Sequence, residues 1–201
     1  MKKHLLLLIC VPLLFSCGSS DSKIKTNSNS SIQQEKDDLI AQFTRDLKLN
    51  TEASNNKNWD VVLDMTYPHL FNFISREEMI GVMESIFDIF KDFQASSISN
   101  VRHPYPIIDH EGDRFTKFSY DRELTFTFYN TDDFDNILPG FIEEYGEDNI
   151  KVFRNTNSVT VSGESSMLAV LEENASEWKY LEWNDNIQQF VSASVIDQLS
   201  K

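Results

Sequence analysis

Leu124-Thr125-Phe126-Thr127-Phe128-Tyr129 alternates large apolar residues with hydroxyl-bearing ones. Successive side chains of a strand point to opposite faces, so Leu124, Phe126 and Phe128 share one face, and that face points to a core. Just upstream, Phe115 to Tyr120 has the same character, and with 124–129 it forms one long or two broken strands. Asp109-His110-Glu111-Gly112-Asp113 before it is a turn. Pro104 and Pro106 bracket an irregular connection, and 94–101 is a weak strand.

Downstream the period changes. Thr131 or Asp132 can cap a helix whose buried side is Phe134, Ile137, Leu138, Phe141 and Tyr145, with Pro139-Gly140 expected to kink or split it and Gly146 as C-cap. Strands follow at about 149–154, 158–162, 166–173 and 177–183, with Gly163 and Glu173-Asn174-Ala175-Ser176 as turns. In the last strand, Trp178 and Trp183 fall on opposite faces. One is expected in the core and the other near a terminal helix, which starts after Asn186 and presents Ile187, Phe190, Val191, Val195 and Leu199.

The stretch before the strands is helical. Leu39, Ile40, Phe43 and Leu47 recur at helical spacing from Lys36 toward Ala53. Asn55-Asn56-Lys57-Asn58 breaks the pattern, and a short helix with Trp59, Val62, Leu63 and Thr66 follows. Tyr67-Pro68 ends it, because a residue before proline is pushed out of the helical region. Ser75-Arg76-Glu77-Glu78 is a capping box, flanked by Ile74 and Met79 as a hydrophobic staple. The helix it opens carries Met79, Val82, Met83, Ile86, Phe87 and Phe90 toward an end near Lys91 or Asp92, a stripe that reads as core. Helices, then a meander of strands with one inserted helix, then a terminal helix, make an α+β pattern: an antiparallel sheet curled around helices.

Asn58-Trp59-Asp60, followed by Asp64, Tyr67-Pro68 and Leu70-Phe71, resembles the opening helices of NTF2-like (cystatin-like) cone-shaped α+β domains, and Glu177-Trp178-Lys179-Tyr180-Leu181 is similar to their last strand. The resemblance spans about 36–183. It implies N-terminal helices packed in a curved antiparallel sheet. The inserted helix at 132–145 and the helix after the last strand depart from that pattern, and either can cover the open end of the cone. In some enzymes of this fold a carboxylate and a tyrosine in the cone pocket act as base and oxyanion donor, which draws attention to Asp64 and Tyr67, with His69 beside them. These residues read first as structure: Asp60 and Asp64 as a solvated face, Tyr67-Pro68 as a corner. The alternative they carry is a hydrolase or isomerase.

Other chemistry has less to stand on. The sequence holds no Gly-x-Ser-x-Gly, no His-Glu-x-x-His and no Gly-rich phosphate loop; its 6 Gly are scattered singly. Asp109, His110, Glu111 and Asp113 fit neither an EF-hand nor a zinc site, so no cofactor and no metal are expected. A formal charge of −14 opposes phosphate binding, which needs clustered Lys and Arg, and excludes a nucleic-acid partner.

The N-terminus supplies an address. Lys2-Lys3 precede an apolar run from Leu5 to Phe15, too short for the roughly 20 residues a membrane span takes. Leu14-Phe15-Ser16-Cys17 closes it and resembles the bacterial lipobox. That resemblance implies removal of a 1–16 signal peptide and lipidation of Cys17. Cys10 lies in the removed part, so no disulfide is available to the mature chain. Residues 17–35, rich in Ser, Asn and Gln, read as a flexible tether, and 36–201 as one domain. No Asp directly follows Cys17, which favours the outer membrane over the inner. The expected protein is an envelope lipoprotein, non-catalytic, binding a small apolar ligand or a protein partner.

Overall fold

The alternating stretch lies in β3 (Asp113–Phe128), the longest strand of a computed structural model that describes residues 29–102, 106–184 and 186–200. The remaining strands are β1 (Phe90–Arg102), β2 (Ile108–His110), β4 (Ile150–Phe153), β5 (Ser158–Leu171) and β6 (Lys179–Glu182). All six join one antiparallel sheet: β3 and β5 form its centre, β1 and β2 flank β3, and β4 and β6 flank β5. The helices are α1 (Asn29–Asn55), α2 (Trp59–Asp64), α3 (Arg76–Phe87), α4 (Thr131–Tyr145) and α5 (Ala193–Leu199). The architecture is α+β.

The β3–β5 ladder is unbroken from Arg114–Leu171 to Thr127–Ser158. Phe115 to Tyr120 and 124–128 are therefore one strand, and so are 158–162 and 166–171. Gly163 is not a turn. It pairs with Arg122 in mid-ladder, and its φ lies outside the positive range that a glycine turn exploits. The turn before β3 is the tight one: Glu111 (φ 53°) and Gly112 (φ 95°) join β2 to β3 with both central residues at positive φ, which matches the right-handed twist of the flanking strands.

Even-numbered residues of β3 and odd-numbered residues of β5 share one face. On it, α1 covers one end: Phe43 is fully buried, stacked on Phe118 at 4.5 Å and set edge-on to Trp178 at 5.5 Å. Burying such a ring contributes about 1.5–3 kcal/mol. The other end of the same face is covered by α4, where Phe134 and Leu138 meet Phe126, Phe128, Val159 and Val161. The opposite face carries Phe115, Leu168, Val170 and Leu181 under α5 and the Ile187–Gln189 turn. A fourth cluster joins Trp59 and Leu63 of α2 to Met79 and Met83 of α3.

The capping box is formed in full: Glu78 N donates to Ser75 Oγ at 3.2 Å, and Ser75 N donates to Glu78 Oε2 at 3.0 Å. Several boundaries differ from the sequence reading. α1 begins at Asn29, inside the stretch read as tether, where Gln33–Asp37 and Gln34–Asp38 bonds brace successive turns. α2 stops at Asp64, before Tyr67, because the chain leaves it to join β6: Tyr180 N donates to Met65 O at 2.8 Å and Tyr67 N to Tyr180 O at 3.0 Å. α3 ends at Phe87, and Phe90 belongs to β1, its ring 5.0 Å from Phe126. α4 is capped by Asn130, which accepts from Asp133 N at 2.9 Å, and it continues through Pro139 without splitting. The terminal helix is divided, with α5 starting only at Ala193, although Ile187, Val191 and Val195 all stay in one core cluster. α5 lies on the face of the sheet opposite α1.

The stretch read as a signal peptide, the Leu14–Cys17 stretch that resembles a lipobox and residues 18–28 lie outside the described residues, as does Pro104. No described helix is long and apolar enough to cross a membrane.

Candidate functional site

Strand alternation sends Asp121 and Arg122 to opposite faces. Arg122 lands on the α1 face, in register with Ile98 of β1 and Gly163 of β5. Glu182 of β6, two residues beyond Tyr180, lands on the same face beside Met167. The two charges meet with Arg122 Nη1 3.3 Å from Glu182 Oε1, and their side chains are only 14% and 18% exposed. Burial holds Glu182 above the ordinary carboxylate range, and Arg122 pulls it the other way. Tyr120, one step along the same face, is pushed up to about 12 by burial, with Arg122 opposing the shift and Glu182 adding to it. The buried Ser165 hydroxyl approaches Tyr120 without making a hydrogen bond of full geometry.

This polar centre lies between two apolar clusters. Phe118 and Tyr120 pack toward α1; Phe126 and Phe128 pack toward α4. The row between them, Ile98–Arg122–Gly163, is not closed over at Gly163: a Cβ there would meet nothing within 4 Å among the described residues. At the β1 end of the row, an open cleft of about 480 Å³ is lined by Lys48, Glu52 and Asn55 of α1 and by Ser96 and Ile98. Asn55 fixes that wall, since its amide donates to Ala95 O at 3.1 Å and accepts from Ala95 N at 2.9 Å. A second clamp holds α1 at the other side, where Tyr180 Oη donates to Asp46. The arrangement offers hydrogen-bond donors on Arg122, a neutral phenol and a carboxyl in a partly dehydrated recess.

Of the residues singled out in the sequence, Tyr67 and His69 stay in contact and Asp64 does not join them. Asp64 is exposed and accepts from Arg76 Nη2 at 2.8 Å. The Tyr67 ring is buried among Ile108, Phe115 and Leu181 in the cluster under α5, and burial first, then Asp113 and Glu172, push its hydroxyl up to about 12. His69 is exposed and stacks on Tyr67 at 4.8 Å. None of the three reaches the α1-face centre. In the acidic turn, Asp113 accepts from Glu173 N at 2.8 Å and His110 bonds Ser192 at 3.1 Å. Among the described residues, no group of three or more His, Cys, Asp or Glu is placed to hold a metal ion. Trp178 is buried against Phe43. Trp183 is half-buried on the α5 face with Lys117 Nζ 4.6 Å above its ring.

Compared with known proteins, the chain matches no family model and no curated sequence. The sequence reading missed Arg122 and Glu182. A signal for both was present: each occupies an inward register position, Arg122 between Tyr120 and Leu124, Glu182 after Trp178 and Tyr180. A charge in such a position is rarely buried without a partner.

Proposed function

We propose that this chain is a bacterial envelope lipoprotein, held by a lipidated Cys17 on a membrane, the outer one in preference to the inner, and that its folded part is a non-catalytic NTF2-like domain that binds a small molecule or a protein partner. The observation that carries the anchor is the order of the N-terminal residues: Lys2-Lys3, an apolar run, then Ser16-Cys17. Two or more acyl chains on one residue make attachment stable, where one chain gives only reversible binding. The cone reading is supported by the succession of N-terminal helices and antiparallel strands, with α1 packed across one face of the sheet. In the cone frame that face is the concave one, and the polar recess at Arg122 lies on it. The partly dehydrated charges favour a small molecule with a polar head over a wholly apolar one.

The alternative, a hydrolase or isomerase built on Asp64 and Tyr67, lacks such support: one side chain is at the surface in an ion pair, the other in the core under α5. Replacing Cys17 by Ser is expected to move the protein from the membrane fraction to the soluble fraction. Continued membrane fractionation of Cys17→Ser, at unaltered expression and export, would overturn the anchor.

A further inference from the structure

We infer that the row Ile98–Arg122–Gly163 binds a small monocarboxylate, with its carboxylate over Gly163 on the Arg122 guanidinium and its tail running across β3 to Ile98, toward the cleft at Lys48. This rests on the reading of the α1 face as the ligand-binding face. Three observations carry it. The first is chemical. Arg122 presents a planar fork of donors that matches a carboxylate's two oxygens. Glu182 engages it through a single Nη1–Oε1 contact at 3.3 Å, not as a two-pronged pair. The place beside Arg122 thus already accepts a carboxylate, and donors remain to take a second.

The second observation is space. Gly163 faces Arg122 in register, and a Cβ there would meet nothing within 4 Å among the described residues. Three adjacent strands span about 10 Å at the usual strand spacing, the length of a carboxylate with a short tail. The third is the charge around the row. Glu182 beside Arg122, and Glu52 with Lys48 at the cleft, leave no net positive excess. A dianion such as a phosphate ester would bring two negative charges against that balance, whereas a monocarboxylate brings one and shares the Arg122 guanidinium with Glu182. With Arg122 only 14% exposed, water competes weakly for it.

The test uses the full-length lipoprotein in lipid nanodiscs, with empty nanodiscs as the blank. Hexanoate is titrated calorimetrically against hexanamide, its uncharged isostere. Hexanoate is expected to bind at least tenfold more tightly. Arg122→Lys keeps the charge but loses the fork, and should weaken hexanoate at least fivefold. Gly163→Leu fills the row, leaves the Arg122–Glu182 pair in place and should abolish binding, with an unchanged unfolding midpoint showing that the fold is intact. Equal binding of hexanoate and hexanamide, both lost in Gly163→Leu, would overturn the carboxylate while leaving the α1-face reading standing. Hexanoate binding that Gly163→Leu does not alter would overturn both. No hexanoate binding to the unsubstituted protein would overturn the carboxylate.

Discussion

Asp121 and Arg122 are neighbours in sequence and opposites in circumstance. Asp121 points away from α1 and α4 into an open network: Arg102 donates to it at 2.8 Å and to Glu164 at 2.6 Å, and Asn100 donates to it at 2.7 Å. Every charged side chain there is at least 39% exposed. Arg122 points the other way, into a recess where Glu182 lies 3.3 Å distant and the Tyr120 hydroxyl also faces it. The shorter contacts are the less costly ones to break. Exposed pairs contribute about 0–1 kcal/mol because water screens them and competes for them. A buried pair can contribute little in net terms and still be costly to break, since a lone charge in a recess has nothing to replace its partner. The carboxylates record this difference. Hydrogen bonds from Arg102, then from Asn100, hold Asp121 below its ordinary range, while burial holds Glu182 above its own.

The contrast breaks most visibly at Arg122. Arg122→Met should cost about 3–5 kcal/mol in urea denaturation at neutral pH, because Glu182 is left buried and unpaired. Adding Glu182→Leu should restore most of that loss, and the double variant should lie near or above the unsubstituted protein. If both single variants cost under 1 kcal/mol, the recess is wetter than its exposure indicates.

The next effect is in pH dependence, where the two faces should have opposite signs. Glu182 binds its proton more tightly when folded, so its contribution falls as pH rises from the ordinary carboxylate range through its raised value. Asp121 binds its proton less tightly when folded, so its contribution is present above the ordinary range and is lost as pH falls through its lowered value. Stability differences between the unsubstituted protein and Glu182→Gln, and between it and Asp121→Asn, should therefore slope in opposite directions with pH. Parallel slopes would remove the distinction between the faces. The smallest effect is expected at Arg102→Ala: at most about 1 kcal/mol, shrinking as salt is added.

Those two residues also show what the sequence makes legible. The alternation that marks β3 as a strand assigns each of its residues to a face, and the capping box locates the start of α3 to the residue. Local chemistry suffices for such features. It does not suffice for the end of α2, which depends on Tyr180, more than a hundred residues later, offering its backbone to Met65 and Tyr67. Nor does it suffice for Gly163, whose turn-like identity is overridden by the long pairing with β3. The site was hidden for the same reason. Arg122 and Glu182 are each an ordinary charged residue in a list, and become a pair only when β6 is laid against β5 and β5 against β3. Asp64, Tyr67 and His69 drew attention through a resemblance, and the end of α2 separates Asp64, at the surface with Arg76, from Tyr67, which is buried under α5 with His69 stacked on it.

The position of α1 has a mechanical consequence. It is the first described helix, and whatever holds the N-terminus would transmit load directly into it. A pull there would peel α1 from the sheet one attachment after another, from Glu35–Arg114 at 3.3 Å to Asp46–Tyr180 and then Asn55–Ala95. The β3–β5 ladder would be reached only afterwards. Stretched from that end, the protein should lose the roof of its recess in an early, low-force step, with the sheet yielding in a later one.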